Sequence, residues 1–279
     1  MRIGRRTVLT GLIATPALAR AQDSPPLREL ARRAAIYLFP IYEMYRARWQ
    51  ATVDEANPAR QKLNRFRHVT PLADPRTRTA SMPNGDILQS FAWLDLSNEP
   101  MFLIVPPVGD LYYSYAFLDL FTDTFATVSH RLNGGRPLPQ MIAGPAWKGD
   151  PPGEVTLVRA PTNSVWLRGR LLVSDSGELD RLAILQTRVL LETPDMRNER
   201  RILETRELMR QRTQAPPEPV ADWPAPQPAD PFDILATGMR ALGESPLSDH
   251  DRNQIQGFAP LKLAPARKLD LRAFSDGER

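Results

Sequence analysis

Seven short runs of apolar or alternating residues between positions 87 and 173 constrain the fold more than any other feature of this chain. Residues 87–96 alternate with a period of two, which places Phe91, Trp93 and Asp95 on one face of a strand. Turn-forming residues such as Asn133-Gly134-Gly135 separate the runs. The runs cover residues 87–96, 101–105, 111–118, 124–131, 139–143, 154–160 and 164–173. This spacing predicts an α+β protein with a central antiparallel β-sandwich or barrel-like sheet, in which 101–105 and 111–118 form a hairpin.

Helical periodicity flanks the predicted sheet. Apolar residues follow helical spacing from Leu27, and Pro40 is expected to kink or end this helix after Phe39, with a second helical segment beyond it. After the sheet, the pattern predicts helices over 176–191 and 196–212, then a short helix from Asp230 to Leu242. Residues beyond Ser245 show no strong period.

The N-terminus has the features of an export signal. Arg5 and Arg6 precede a short apolar run, and Ala19-Arg20-Ala21 offers small residues at a cleavage site. The arginine pair favours the twin-arginine type of signal, and an ordinary secretory signal is the alternative. We therefore expect a periplasmic or secreted protein without a permanent membrane span, because no apolar run is long enough to cross a bilayer.

Charge and cysteine content exclude several classes of function. The signal carries four arginines and no acidic residue, so the mature chain has 36 − 4 = 32 basic against 32 acidic residues. A neutral chain has no general attraction for phosphate, which argues against nucleic acid as a partner. The absence of cysteine excludes disulfides, thiolate metal sites and a cysteine nucleophile.

Composition divides the chain into four segments. The signal peptide covers 1–21, the main domain 22–213, a proline-rich connector 214–231 and a short helical extension 232–279. Residues 215–231 contain seven prolines, which predicts an extended, semi-rigid segment. It either wraps the surface of the domain or leads to another module.

Two residues are candidates for acid–base chemistry. His68 lies close in sequence to Asp86, and a histidine beside a carboxylate can act as a general base. A structural histidine that holds its loop by hydrogen bonds is the alternative, and Asp86 follows Asn84-Gly85, which is itself a turn signal.

Further polar and aromatic residues are candidates for ligand binding. Aspartate is uncommon in strands, so Asp95 and Asp119 are expected to have partners. Arg168 and Arg170 alternate on the last strand, where they could hold a carboxylate or phosphate or neutralise Asp86 or Asp95. Aromatic residues could line a groove, although most aromatic residues of a sheet fill its core. The predicted ligand-binding residues are Asn64, Asn84, Trp93, Asp95, Tyr113, Asp119 and Arg170. We predict no metal site, and no motif identifies a cofactor.

Several segments together resemble one known family. Asn64-Arg65-Phe66-Arg67-His68, Pro83-Asn84-Gly85-Asp86, Ala92-Trp93-Leu94-Asp95-Leu96, Asp110-Leu111-Tyr112-Tyr113 and Gly144-Pro145-Ala146-Trp147 occur in the order seen in the family called domain of unknown function 1254. The resemblance implies an exported, β-rich protein and no established activity. Asp86-Ile87-Leu88-Gln89 departs from the family's usual Asp-Thr-Leu-Tyr. The second C-terminal domain often found in that family is not recognisable here.

Three hypotheses of function follow. The chain binds a small or carbohydrate-like ligand, or a partner protein, near Asn84 and Asp86. Alternatively, it is a hydrolase or lyase that uses His68 and Asp86 as acid and base. The third hypothesis is that the protein is a structural envelope module that docks a separate second-domain protein. This hypothesis predicts an exposed apolar patch beside residues 215–279.

Overall fold

The computed structural model describes residues 26–70, 72–74, 76, 84–206, 222–265, 267, 269–270 and 272. The predicted signal peptide, Pro83 and the first part of the proline-rich segment lie outside this range. The rest of that segment, from residue 222, runs without regular structure along the first helix. There the Trp49 indole N–H donates to the Trp223 carbonyl at 2.9 Å, and the Tyr45 hydroxyl donates to the Pro224 carbonyl at 2.7 Å.

Nine strands form two sheets. The first sheet has the order β1-β2-β8-β4-β5, and the second has the order β7-β6-β3-β9. The strands are β1 Arg67–Val69, β2 Ile87–Asp95, β3 Met101–Ile104, β4 Tyr113–Leu118, β5 Thr124–Ser129, β6 Gln140–Ala143, β7 Thr156–Arg159, β8 Ser164–Leu172 and β9 Leu190–Glu192. All seven predicted runs contain a strand, and the α+β class is confirmed. In the described residues the two sheets do not close into a barrel, and β6 and β7 pair in parallel.

The predicted hairpin is wrong. β3 pairs with β6 and β9 in the second sheet, whereas β4 pairs with β8 and β5 in the first. Pro106 and Pro107 lie between them and have no N–H to donate to a ladder. The Val108 N–H instead donates to the Gly135 carbonyl at 2.8 Å, so the connection crosses from one sheet to the other.

Helices lie before, between and after the strands of the two sheets. They are α1 Leu27–Thr52, α2 His130–Asn133, α3 Leu179–Thr187, α4 Pro194–Arg206, α5 Asp233–Leu242 and α6 Asp249–Gly257. The predicted end at Phe39 is wrong, since α1 continues through Pro40. An internal proline costs about 3 kcal/mol, and fully buried side chains on both sides of it, such as Leu38 and Tyr45, offset that cost.

Two further helix predictions need correction. The helix predicted over 176–191 ends at Thr187, and Leu190–Glu192 forms β9 because an edge of the second sheet is open to it. The region beyond Ser245 is not aperiodic coil, since α6 begins after Ser248. The Ser248 hydroxyl caps this helix by accepting from the Asp251 N–H.

The hydrophobic core has two main parts. Inward-facing residues of both sheets form the first part, which includes Leu94, Leu103 and Leu167. In the second part α1 packs against α5 and α6, and Gly238 allows a close approach because an added Cβ would lie 2.9 Å from the Leu38 Cβ. None of the described helices is long and apolar enough to cross a membrane.

Candidate functional site

A cavity of about 600 Å³ lies where α1 and the start of α6 meet turns at one end of the sandwich. Its walls come from five separated parts of the chain. The described lining residues are Tyr37, Ile41, Asp119, Leu120, Phe121, Asp123, Pro145, Pro161, Thr162, Ala241, Leu242, Ser245, Pro246, Leu247, Ser248, His250 and Asp251. This set combines apolar walls with three carboxylates and contains no lysine or arginine.

Asp251 is held rigidly at one side of the cavity. The Tyr37 hydroxyl donates to its Oδ1 at 2.5 Å, and the Ser248 hydroxyl donates to its Oδ2 at 2.6 Å. Burial raises the pKa of Tyr37 well above its ordinary value, and the hydrogen bond to Asp251 raises it further. Tyr37 therefore stays protonated and acts as a donor, so both Asp251 oxygens are engaged within the protein.

Asp119 lines the same cavity and uses only one of its two carboxylate oxygens in hydrogen bonds with the described residues. Its Oδ1 accepts from the Phe121 N–H at 2.8 Å and from the Asp123 N–H at 3.0 Å, which closes the turn between β4 and β5. Its Oδ2 accepts no hydrogen bond from any described residue and is not sealed from solvent. Burial is the main reason that the pKa of Asp119 is raised, and the nearby charges of Asp123 and Asp251 add to it.

His68 lies away from the cavity in a buried network. Its Nδ1 is 2.9 Å from the Ser90 Oγ, which also accepts from the Gln186 side-chain amide at 3.0 Å. The Ser90 hydroxyl can donate to Nδ1 or accept from it, and the tautomer of the ring decides which. Burial lowers the pKa of His68, which favours the neutral ring. Ser90 is only 2% exposed, so this serine–histidine pair is closed to a substrate.

The structure does not bring His68 to Asp86. His68 pairs with Ser90 in the register of β1 and β2, and Asp86 precedes Ser90 by four residues. Four residues span roughly 13 Å along a strand, so the two side chains are too far apart to share a proton. Asp86 is exposed, and its carbonyl accepts from the Val173 N–H at 2.8 Å.

Asn64 and Asp95 are brought together, but by the main chain. The Asn64 Oδ1 accepts from the Asp95 N–H at 2.8 Å, and the Asn64 N–H donates to the Trp93 carbonyl at 2.9 Å. Asn64 has φ of 58°, a left-handed conformation that asparagine tolerates. The Asp95 carboxylate binds the N–H and hydroxyl of Ser97. These contacts attach the loop before β1 to the end of β2.

The other predicted ligand-binding residues are distributed over the sheets. Trp93 is 2% exposed and packs below α1, and Tyr113 is fully buried with its hydroxyl donating to the Gly134 carbonyl at 3.0 Å. Asn84 is half-buried and its carbonyl accepts from the Ala73 N–H, whereas Arg170 is exposed on β8. Of the predicted site residues, Asp119 alone is among the described residues that line the cavity.

Sequence reasoning missed most of the cavity. Tyr37, His250 and Asp251 are 82 to 132 positions from Asp119, and no local pattern links them. The one local signal was Ser248 followed by Asp251, which is typical of a helix N-terminus. No group of three histidine, aspartate or glutamate side chains within the described residues is arranged to hold a metal ion.

Comparisons with known proteins agree with this fold and give no activity. A crystal structure of the VPA0106 protein from Vibrio parahaemolyticus is similar with a TM-score of 0.66 and 22% identity, over 90% of this chain and 55% of that one. The present chain thus spans just over half the length of that protein, and the likeness shows the fold alone. A putative uncharacterized protein from Burkholderia cenocepacia has a TM-score of 0.33 and 13% identity, over 61% of this chain and 49% of that one, which is too low to inform the fold.

No curated protein matches the sequence. The family described as protein of unknown function DUF1254 matches residues 63–197, a range that includes every strand of both sheets and the predicted residues from Asn64 to Arg170. The resemblance predicted from the sequence motifs is confirmed by this match: residues 63–197 fit the model of the DUF1254 family.

Proposed function

We propose that the protein binds a small, hydroxyl-rich, carbohydrate-like molecule in the cavity beside Asp119. The free Asp119 Oδ2 is the observation that carries this proposal. A sugar hydroxyl can donate to such a carboxylate oxygen, and its C–H faces can pack against apolar walls such as Phe121 and Pro161. The Ser245 Oγ accepts from the Asn163 N–H, so its own hydrogen is available to a ligand oxygen.

The charge of the lining selects between ligand classes. The described lining contains three carboxylates and no lysine or arginine, and this disfavours a phosphate or carboxylate ligand. Neutral and cationic sugars remain suitable. We expect glucose-like and glucosamine-like molecules to bind in this cavity, and we expect acidic sugars to be rejected from it.

Calorimetric titration with a panel of neutral, amino and acidic sugars tests this proposal. Asp119→Asn is the matched variant, because asparagine keeps the Oδ1 that closes the turn and replaces the free acceptor with a donor. We expect binding to fall about tenfold or more with an unchanged melting temperature, since a hydrogen bond to a charged group contributes about 1.5–3 kcal/mol. Asp150→Asn, on an exposed loop, is the control. Failure of every neutral and amino sugar to bind would refute the proposal.

The pH dependence of binding gives a second test. The proposed hydrogen bond from a sugar hydroxyl to Oδ2 is strongest when the Asp119 carboxylate is ionised. Protonation of Asp119 weakens this bond, so the affinity for the sugar is lost as the pH falls through the raised pKa of Asp119. The loss is therefore expected to begin above the range of an ordinary aspartate, about 3.9. Asp119→Asn should remove this step from the pH profile, and a step that persists in the variant belongs to another group.

We further propose that the protein acts outside the cytoplasm after export by a twin-arginine signal. Arg5 and Arg6 support this proposal. Replacement of both by lysine should retain the protein in the cytoplasmic fraction, whereas Arg2→Lys should not. Normal export of the double variant would indicate an ordinary secretory signal, and a wild-type protein found only in the cytoplasm would refute export.

Docking of a separate protein is a second candidate function. Ile36 and Phe39 are 60% and 51% exposed on one face of α1, and Ile36 lies beside His250 and Phe258 near α6. This apolar pair is where the docking hypothesis requires a patch. A photo-crosslinker at Phe39 in the native host should give one discrete adduct with a different protein, and a crosslinker at Ile184, on α3, should not. An adduct of twice the chain mass, or none, would refute heterologous docking.

We propose no catalytic role for the pair His68 and Asp86. The hydrolase or lyase hypothesis required both side chains in one accessible cleft. His68 is instead hydrogen-bonded to the buried Ser90, and Asp86 precedes β2, four residues before Ser90.

A further inference from the structure

Three arginines share the outer face of the first sheet. Directly paired residues of neighbouring strands lie on the same face, and Phe91 pairs with Arg67 on one side and Arg168 on the other. Arg170 lies two residues further along β8 and therefore also points outward. The opposite face carries the buried Leu167 and Leu171 of the sandwich core. We call Arg67, Phe91, Trp166, Arg168 and Arg170 the arginine face.

The three guanidinium groups can reach one ligand. Arg168 and Arg170 are separated by one residue on β8, which corresponds to about 6.6 Å along the strand. Arg67 lies two strands away from Arg168, which corresponds to about 10 Å across the sheet. Arginine side chains are long enough to converge over these distances. Arg67 and Arg170 are exposed and Arg168 is half-buried, so the face is accessible.

The positive charge of this face is not neutralised by the described residues. Within that part of the chain, none of the three arginines forms an ion pair with a carboxylate. The predicted partners do not pair with these arginines: the Asp95 carboxylate binds Ser97, and the exposed Asp86, which precedes β2, forms no ion pair with them. Burial lowers the pKa of Arg168, and the neighbouring charge of Arg170 lowers it further.

Stacked aromatic rings lie beside these arginines on the same face of the sheet. Phe91 and Trp166 stack with centroids 6.2 Å apart, and Trp93 supports Trp166 from the helix side at 5.6 Å. The Arg168 guanidinium carbon lies 4.8 Å from the Trp166 ring centre, which orients the group. The Arg168 Nε is buried and has no hydrogen-bond partner among the described residues, so Arg168 is held in place with part of its polar group desolvated and unsatisfied.

We propose that the arginine face binds a small ring-bearing oxyanion, with its carboxylate or phosphate held by Arg168 and Arg170 and its ring packed on Phe91 and Trp166. Paired guanidinium N–H groups match the geometry of such oxyanions. Arg67 approaches the same ligand from the edge strand. This site is separate from the cavity and selects the opposite charge, so the protein has two ligand sites of different chemistry.

Titration with glucuronate, glucose 6-phosphate and glucose tests this proposal on the full chain. We expect at least one of the two anionic probes to bind, and the one that binds identifies carboxylate or phosphate as the recognised group. The double variant Arg168→Gln/Arg170→Gln should weaken this binding about a hundredfold, from roughly tenfold for each charge-assisted hydrogen bond. Binding should also weaken as salt is raised, because the site is exposed.

Matched variants separate this site from the cavity. Arg188→Gln removes one exposed positive charge beyond α3 and should leave anion binding unchanged. Asp119→Asn should likewise leave it unchanged, although the same variant reduces binding of neutral sugars in the cavity. Since the arginines have no ion pair to lose among the described residues, the double variant should keep the melting temperature. Binding of neither anion, or equal binding by the wild type and the double variant, would overturn the proposal.

Discussion

Arg48 and Glu244 form a buried pair whose two halves should respond differently to substitution. Arg48 is fully buried on α1, and its guanidinium donates to the Glu244 carboxylate at 2.6 and 2.8 Å and also to the Ser164 hydroxyl. Its carbon lies 3.6 Å from the Trp223 ring centre. The Glu244 side chain is 21% exposed, so water reaches one member of the pair and not the other.

This difference sets the expected magnitudes. Glu244→Leu leaves a fully buried guanidinium without a counter-charge, and breaking a buried pair in this way costs about 3–5 kcal/mol. Arg48→Met leaves a carboxylate that water can reach and loses the cation–π contact with Trp223, which together amount to about 2 kcal/mol. The double variant has no unpaired charge, so its free energy of unfolding should be close to that of Arg48→Met alone.

Urea unfolding of the wild type, both single variants and the double variant measures these energies, with Trp fluorescence as the signal. The losses of unfolding free energy in the two single variants should add up to at least about 2 kcal/mol more than the loss in the double variant. The slope of the unfolding free energy against urea concentration should stay unchanged. Additive effects would show that the pair is not coupled. A larger loss of stability in Arg48→Met than in Glu244→Leu would refute the argument that the unequal exposure of the two side chains determines the two costs.

Two further perturbations test the sheet itself. Burial lowers the pKa of His68, so the unfolded chain binds a proton at this histidine more strongly than the folded chain does. The free energy of unfolding should therefore fall as the pH drops below about 6.5. His68→Asn should flatten that part of the stability–pH curve, and replacement of the exposed His250 by Asn should not. An added Cβ at Gly169 would lie 2.5 Å from the buried Tyr115 ring, so Gly169→Ala should lower the melting temperature with a cost of about 1–3 kcal/mol, whereas Gly153→Ala, with open space around it, should have almost no effect. Equal melting temperatures for the two alanine variants would refute the packing argument.

The sequence predicts strands well here because each strand leaves a local period. In β2 the inward positions are buried without exception, and this is the alternation read from residues 87–96. Strand pairing is not local, so the hairpin of β3 and β4, which was predicted from proximity in sequence, is wrong. β9 was missed for a related reason: the apolar run Val189-Leu190-Leu191 resembles the end of a helix, and only its pairing with β3 at the sheet edge makes it a strand.

The candidate site was harder to predict than the fold. Asp119 was predictable because a carboxylate at the end of a strand needs hydrogen-bond partners. It finds them in the backbone N–H groups of the turn that it closes. His68 and Asp86 are close in sequence, but the register of β1 and β2 separates them. The cavity requires α1 to lie beside residues 245–251, and only long-range packing determines that arrangement.

The buried pair and the cavity are connected through the segment between α5 and α6. Glu244 is held by Arg48, its carbonyl accepts from the Asn163 side chain at 2.8 Å, and the next residue, Ser245, accepts from the Asn163 N–H and lines the cavity. Loss of the pair should therefore displace this wall. We expect Glu244→Leu, under conditions where it remains folded, to weaken neutral-sugar binding in the cavity and to leave anion binding at the arginine face unchanged. If Glu244→Leu weakened both equally, the effect would be general loss of structure, and the cavity would not depend on the pair.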